Sequence, residues 1–164
     1  MFPQQIEMLA KAVIAAAIER RVMIATAESC TGGLVAGALT AVAGSSAVVD
    51  RGFVTYSNDA KHEMLGVPTE LIEVHGAVSE PVARAMSEGV VGNSNATLAV
   101  SITGIAGPGG GSAEKPVGLV HFAAADGDGT VHQEHRFGDI GREEVRLASV
   151  EVALTMLLAR LKAA

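Results

Sequence analysis

The stretch VMIATAESCTGGLVAGAL, residues 22–39, decides the fold of this chain. Its first part is apolar and β-like, and its last part has the small and apolar residues of a helix that packs closely on a sheet. Two adjacent glycines separate the parts. The sequence therefore predicts a strand at residues 22–27 and a helix at residues 32–43, joined by a tight turn that contains Ser29.

Outside this stretch, hydrophobic periodicity predicts further helices and strands. Helices are predicted at residues 4–20, 58–65, 68–75, 80–92 and 142–161, with Ser79 as a cap and Pro68 in a first turn. Strands are predicted at residues 46–56, 97–103, 117–125 and 130–137, with a bulge at Gly52 and a hairpin across DGDG at 126–129. This order predicts an α/β layered sandwich whose mixed, mainly parallel sheet ends in a C-terminal hairpin between helices.

Composition limits the class of protein. With 164 residues and 49% hydrophobic content, the chain is long enough for one core, which predicts a single domain over residues 1–164. A net charge of -6, no basic cluster and no Trp argue against a nucleic-acid partner. No apolar run has the length of a membrane span and no signal peptide is evident, so we expect a cytoplasmic protein without a membrane partner.

Ser29 lies where the helix is expected to begin. Backbone N–H groups in the first helical turn have no intrahelical acceptor and carry the positive end of the helix dipole, so they favour an anion or an oxyanion. A nucleophilic hydroxyl and its charge stabiliser could share this turn. The simpler interpretation is that Ser29 or Thr31 caps the helix, while Gly32 and Gly33 let the chain turn.

Two other segments also place polar residues at strand ends, TYSNDAK at 55–61 and SITGIAGPGGG at 101–111. Because sites in such sheets form beyond the carboxyl ends of the strands, the three loops predict one shared pocket. A serine hydroxyl needs a base within hydrogen-bond reach, and Lys61 is the candidate, since a lysine in a dry pocket loses its proton more easily. The alternative for Lys61 is a solvated lysine paired with Glu63 or Asp59.

Tyr56, the single tyrosine, could donate to an oxyanion or orient Lys61, or it could be a strand aromatic with its ring in the core. Cys30 is a second potential nucleophile, although a core role is favoured for it. The glycine-rich loop matches neither the dinucleotide fingerprint nor the P-loop, but its amides could cradle a phosphate, with Arg142 as a charged clamp. A flexible loop and a surface arginine are the alternatives.

No metal and no cofactor is expected, because His132 and His135 lie three apart in a predicted strand and point to opposite faces. The last helix is apolar around much of its circumference, so it is expected in the core, in a subunit contact, or in both. We therefore expect a homodimer.

Six ordered segments, taken together, closely resemble the C-terminal domain of the CinA family (competence/damage-inducible protein). They are TAESCTGG at 26–33, GSS at 44–46, RGFVTYSN at 51–58, HGAVSE at 75–80, SITGIAGPGG at 101–110 and KPVG at 115–118. The resemblance spans nearly the whole chain. Its larger members carry an additional N-terminal nucleotide-pyrophosphatase domain, for which this chain has no room, so that activity is expected to be absent.

The resemblance implies an activity. Single-domain members look like nicotinamide-nucleotide amidohydrolases, which convert nicotinamide mononucleotide into nicotinate mononucleotide and ammonia in pyridine-nucleotide recycling. It implies Ser29 as the attacking residue, with Tyr56 and Lys61 as partners. The matching loops suggest ligand contacts at Thr31, Gly32, Gly33, Thr103, Gly104, Gly107 and Arg142. A domain of this family that binds a nucleotide without turning it over, or that only assembles, remains the alternative.

Overall fold

Five strands form one sheet in the computed structural model, which describes residues 1–163. The strands are β1 (Ile24–Glu28), β2 (Val49–Val54), β3 (Leu98–Gly104), β4 (Leu119–Asp126) and β5 (Gly129–Arg136). Their order across the sheet is β2-β1-β3-β4-β5. β2, β1 and β3 are parallel, whereas β3 with β4 and β4 with β5 pair antiparallel. The predicted mixed sheet and its hairpin are confirmed, with parallel pairing confined to the β2-β1-β3 half.

Six helices cover the two faces of this sheet. They are α1 (Gln4–Arg20), α2 (Leu34–Thr40), α3 (Asn58–Leu65), α4 (Thr69–His75), α5 (Glu80–Gly92) and α6 (Arg142–Lys162). α1, α2 and α6 share one apolar core with the sheet, and α3, α4 and α5 share the other. β3 is buried along nearly its whole length because helices cover both of its faces. The predicted layered sandwich is confirmed.

The place of α6 in the fold explains why this helix is apolar around much of its circumference. It packs against α1 and the sheet, and buries Val145, Val150, Leu154 and Leu157. The core accounts for this surface, and the homodimer stays a prediction. No helix within residues 1–163 is long and apolar enough to cross a membrane.

The segment before β2 departs from the prediction of one strand at residues 46–56. A short 3₁₀ turn (Ser45–Ala47) precedes β2, and the register with β1 slips at Asp50 and not at Gly52. Asp50 lies at the open edge, where its carboxylate accepts hydrogen bonds from Arg51 Nε and Asn95 N. Gly52 instead permits close packing, since a Cβ there would lie 3.0 Å from the Ala36 side chain. The predicted bulge was therefore at the wrong residue.

Helix starts follow the predicted caps closely. Ser79 Oγ accepts a hydrogen bond from Val82 N and begins α5, as predicted. Pro68, predicted in the first turn of α4, lies immediately before that turn. α5 then brings the segment at Ala77 against the end of β3, where Thr103 Oγ1 donates to the Ala77 carbonyl at 2.9 Å.

A pair of histidines joins the two strands of the hairpin. His121 Nδ1 and His132 Nε2 lie 2.9 Å apart, and the outer nitrogens face Glu134 at 3.6 Å and Glu80 at 3.2 Å. His135 lies on the opposite face of β5 and packs edge-on against an aromatic ring of β4. The pair therefore ties the hairpin to the start of α5.

The histidine pair predicts that acid destabilises the fold. Burial lowers the pKa values of His121 and His132, so below about pH 6.5 the folded chain binds fewer protons than the unfolded chain. The thermal midpoint should therefore fall between about pH 7 and about pH 5, and fall less in a His121→Gln, His132→Gln double variant. Exposed His75 supplies the control, His75→Gln. An unchanged pH dependence in the double variant would contradict this.

Candidate active site

Three loops meet at the carboxyl ends of the parallel strands, as the sequence predicts. They follow β1, β2 and β3 and enclose a pocket of about 280 Å³. The residues that line it are Ser29, Cys30, Tyr56, Asn58, Lys61, Ala77, Val78, Thr103, Gly104, Ala106 and Arg142. Arg142 brings a positive charge to this lining and none of the residues carries a carboxylate, so the pocket suits an anionic ligand.

A larger cleft of about 720 Å³ lies beside the glycine-rich loop. Residues 108–113 and Arg136 line it, but Ser29 and Lys61 do not. We place the chemistry in the smaller pocket, because only there do a nucleophile and a potential base meet.

Ser29 and Lys61 form a buried hydrogen-bonded pair. Lys61 Nζ lies 3.2 Å from Ser29 Oγ and donates to the Thr55 carbonyl at 2.9 Å. Lys61 is 1% exposed and Ser29 is 8% exposed, so the interpretation of Lys61 as a solvated surface lysine is wrong. α3 positions the lysine, since Ser57 Oγ caps that helix at Ala60 N and fixes where its first turn begins.

Burial also sets the protonation of this pair. It lowers the pKa of the Lys61 ammonium below the ordinary value for a lysine, because the charged form loses its hydration. A neutral amine has one lone pair and two hydrogens. One hydrogen can stay with Thr55 O while the lone pair accepts the Ser29 proton. This arrangement fits a general base and its nucleophile.

The turn after β1 differs from the prediction in what occupies the helix N-terminus. α2 begins only at Leu34, and the N–H groups of Val35 and Ala36 donate to the Glu28 carboxylate at 2.8 and 3.0 Å. Thr31 Oγ1 donates to the same carboxylate at 2.7 Å. The expectation that the N–H groups at the start of α2 are open to an anion is therefore wrong for Val35 and Ala36, because the Glu28 carboxylate already accepts from both. The cap predicted at Ser29 or Thr31 is wrong too, since the N-cap residue is Gly33 and neither hydroxyl accepts a hydrogen bond from an N–H of α2.

Other backbone donors remain available beside Ser29. The N–H groups of Cys30 and Thr31 have no oxygen acceptor within residues 1–163, although both residues are buried. Buried N–H groups are seldom left unpaired, so these two are candidates to stabilise an oxyanion. Gly32 and Gly33, both with positive φ, shape the turn that holds the N–H groups in place.

Cys30 itself is not a suitable nucleophile. Burial raises the pKa of its thiol to about 12, so the reactive thiolate is scarce at neutral pH. The favoured interpretation of Cys30 as a core residue agrees with its burial and its place in the apolar cluster.

Arg142 and Tyr56 meet across the mouth of the pocket. Arg142 donates to the Gly107 carbonyl at 2.8 Å and to the Tyr56 hydroxyl at 3.2 Å. Tyr56 is 64% exposed, so the interpretation of its ring as a core aromatic is wrong. Its hydroxyl accepts a hydrogen bond from the arginine and has none with Lys61 within the described chain, so it does not orient Lys61 directly, and donation to an oxyanion stays a prediction.

The predicted ligand contacts divide into two groups. Thr103, Gly104 and Arg142 line the pocket. The other four, Thr31, Gly32, Gly33 and Gly107, are not among the lining residues. The first three form the turn after β1, whose N–H groups include the candidate oxyanion donors, and Gly107 accepts a hydrogen bond from Arg142.

Sequence reasoning missed Glu28, Asn58 and Arg146. Glu28 was visible as a lone acid in an apolar strand. Asn58 lines the pocket in the same segment as Tyr56. Arg146 lies four residues after Arg142 on α6 and donates to two carbonyls of the turn after β1. Its spacing of one helical turn from Arg142 was the available signal.

This chain is similar in sequence to several known proteins. A sequence profile described as the CinA C-terminal domain matches residues 6–161. The nicotinamide-nucleotide amidohydrolase PncC of Enterobacter agglomerans is 54% identical over 135 residues, which cover 82% of each chain. A CinA-like protein of Syntrophus aciditrophicus is 50% identical over 92% of this chain, which spans only 36% of that relative's length.

Solved structures agree with this likeness. The competence/damage inducible protein CihA from Agrobacterium tumefaciens superposes with a TM-score of 0.97 at 59% identity and covers 99% of both chains. A CinA superfamily protein from Klebsiella pneumoniae superposes with a TM-score of 0.90 at 39% identity, over 95% of this chain and 97% of the other. The arrangement of helices and strands is therefore one that experiment has found in related sequences.

Proposed function

Because this chain belongs to the CinA C-terminal domain family, we propose that it hydrolyses nicotinamide mononucleotide to nicotinate mononucleotide and ammonia, with Ser29 as nucleophile. The observation that carries the proposal is the buried contact of 3.2 Å between Lys61 Nζ and Ser29 Oγ. The relative named as a nicotinamide-nucleotide amidohydrolase supports the choice of substrate. The proposed setting is pyridine-nucleotide recycling in the cytoplasm.

In the first half of the reaction, Ser29 Oγ attacks the carboxamide carbon while neutral Lys61 takes the hydroxyl proton. The carbonyl oxygen gains negative charge, which the N–H groups of Cys30 and Thr31, without an oxygen acceptor in the described chain, are suited to stabilise. When the C–N bond breaks, Lys61 returns its proton to the departing nitrogen, which leaves as ammonia. The nucleotide stays attached to Ser29 as an ester.

In the second half, water attacks the ester carbon and Lys61 takes a proton from it. Collapse of the tetrahedral intermediate breaks the bond to Ser29 Oγ, and Lys61 returns the proton to that oxygen. Nicotinate mononucleotide leaves and the pair is restored. Each proton that Lys61 accepts is given back within the same half, so the chain needs no external acid.

We propose that Arg142 binds the phosphate of the substrate. Its contacts with Gly107 O and Tyr56 OH leave further guanidinium N–H donors free, and they fix the guanidinium at the mouth of the pocket. A guanidinium binds phosphate through paired hydrogen bonds. The glycine-rich loop then serves by holding Arg142 through Gly107, since residues 109–111 line the other cleft.

An Arg142→Ala variant should lose the preference for the phosphorylated substrate. We expect kcat/KM for nicotinamide mononucleotide to fall about 10- to 100-fold, the loss of a charge-assisted hydrogen bond, and that for the phosphate-free riboside to change little. Steady-state kinetics with both substrates measure this. Arg136→Ala in the larger cleft is the control. Equal losses for the two substrates would remove the phosphate role from Arg142.

The function itself is tested by incubating the purified chain with nicotinamide mononucleotide and measuring ammonia and nicotinate mononucleotide. We expect both products in equal amounts, and undiminished turnover after treatment with a chelator. A correctly folded chain that binds the nucleotide in calorimetry without forming either product would instead favour the binding-module alternative.

A further inference from the structure

One helix reaches both loops that carry the pocket. Arg142 and Arg146 lie one turn apart at the start of α6 and point to the same side. Arg142 donates to the Gly107 carbonyl, beyond β3. Arg146 donates from Nε to the Cys30 carbonyl at 3.1 Å and from its terminal nitrogen to the Thr31 carbonyl at 3.4 Å, beyond β1. The two hydrogen bonds of Arg146 thus reach the turn that bears Ser29.

Arg146 acts on the peptide groups next to Ser29. In a trans peptide the C=O and the following N–H point in opposite directions, so fixing the Cys30 carbonyl also fixes the Thr31 N–H. That N–H is one of the two without an oxygen acceptor. A charged donor on the carbonyl also polarises the peptide and strengthens its N–H as a donor.

The turn is held from two sides. On one side the Glu28 carboxylate binds the Thr31 hydroxyl and the start of α2. On the other side Arg146 binds the two carbonyls, and it lies so close that a Cβ at Gly32 would be 3.3 Å from the guanidinium. A neutral or shorter side chain at position 146 would leave the carbonyls of Cys30 and Thr31 without the guanidinium, while the hydrogen bonds to Glu28 would keep the turn folded.

We infer that Arg146 is a positioning residue, which orients the peptide groups of the Ser29 turn so that their N–H groups stabilise the charge that develops on the substrate. The inference rests on the proposed amide hydrolysis. Arg146 touches neither substrate nor nucleophile in this role. It acts through the backbone, so its effect belongs to kcat, because the oxyanion is absent from the bound substrate and develops only during the reaction.

A plain structural role for Arg146 is the alternative, and α6 offers a matched control for it. Arg160 lies near the other end of the same helix, is partly buried like Arg146, and donates two hydrogen bonds to Asp126. It ties α6 to the hairpin, away from the pocket. Removing Arg160 therefore costs packing and hydrogen bonds of a similar kind without touching the Ser29 turn.

The experiment compares wild type, Arg146→Ala and Arg160→Ala in kcat, KM and thermal midpoint. With nicotinamide mononucleotide we expect Arg146→Ala to lower kcat about 100-fold with KM within about threefold, and Arg160→Ala to keep the wild-type kcat. Ethylguanidinium at sub-denaturing concentration should restore part of kcat to Arg146→Ala and change neither of the others. A kcat for Arg146→Ala within about threefold of Arg160→Ala would overturn the inference.

A second variant keeps the test valid if Arg146→Ala does not fold. Arg146→Lys retains the charge but offers a single compact ammonium where the guanidinium reaches two carbonyls, and we expect it to fold with kcat reduced about tenfold. A wild-type kcat in Arg146→Lys would contradict the inference. Absence of turnover by the wild type would instead contradict the proposed function, and the inference with it, so the two failures are distinguishable.

Discussion

Ser29→Ala is expected to lower kcat for nicotinamide mononucleotide by about 10⁴-fold or more, because the hydroxyl that forms the ester is gone. Binding should survive, since Arg142 and the other residues that line the pocket are unchanged. The expected result is therefore loss of ammonia release together with a dissociation constant within about threefold of wild type, measured by calorimetry. Ser29 contributes one hydroxyl to the core, so the fold should persist.

Ser45→Ala is the matched control for that variant. Ser45 is a buried serine in the 3₁₀ turn before β2, away from the pocket. It should keep the wild-type kcat. Retention of even a tenth of the wild-type kcat in Ser29→Ala would show that water attacks the amide directly, and Ser29 would lose its role as nucleophile.

Lys61→Met is expected to lower kcat about 10²- to 10⁴-fold, the usual contribution of a general base. In the wild type, kcat/KM should rise with pH as Lys61 loses its proton, with an inflection below the ordinary lysine value, since burial lowers the pKa of this amine. The residual activity of Lys61→Met should lack that inflection. A pH–rate profile of both proteins measures this, and full activity in Lys61→Met would remove the lysine from the mechanism.

The same substitution changes how stability depends on pH. The pKa of Lys61 is lower in the folded chain than in the unfolded chain, so the unfolded chain binds more protons between the two values. The free energy of unfolding gains a contribution that rises with pH through this range, up to the ordinary lysine value. Lys61→Met should lack this rise, whereas Lys11→Met, at an exposed site on α1, should keep it. Equal pH dependence in the two variants would contradict a lowered pKa.

The sequence predicted the convergence of the three loops well, because each loop follows a strand whose type is visible in local hydrophobic pattern. For this reason the sequence brought Ser29, Lys61 and Tyr56 to one pocket, and all three line it. The position of the turn at Ser29 was predicted correctly, but the group that accepts hydrogen bonds from the start of α2 was not. Local pattern could not show that Glu28, itself part of β1, would fold back to occupy the start of α2.

Contacts between distant segments were beyond prediction. Arg146 binds a carbonyl 116 positions away and Arg142 binds a hydroxyl 86 positions away. Such pairs arise from the way α6 packs across the sheet, which periodicity does not specify. The misplaced bulge has a similar origin, because Gly52 is required by the approach of α2 and not by the backbone of β2 itself.

Hydroxylamine partitioning tests the central claim, covalent catalysis by Ser29, most directly. If an ester on Ser29 forms, added hydroxylamine competes with water for it, and nicotinate mononucleotide is replaced by the corresponding hydroxamate while ammonia release is not slowed. Ser29→Ala should form neither product. Nicotinate mononucleotide as the sole product at every hydroxylamine concentration, or turnover by Ser29→Ala, would contradict an acyl-enzyme on Ser29.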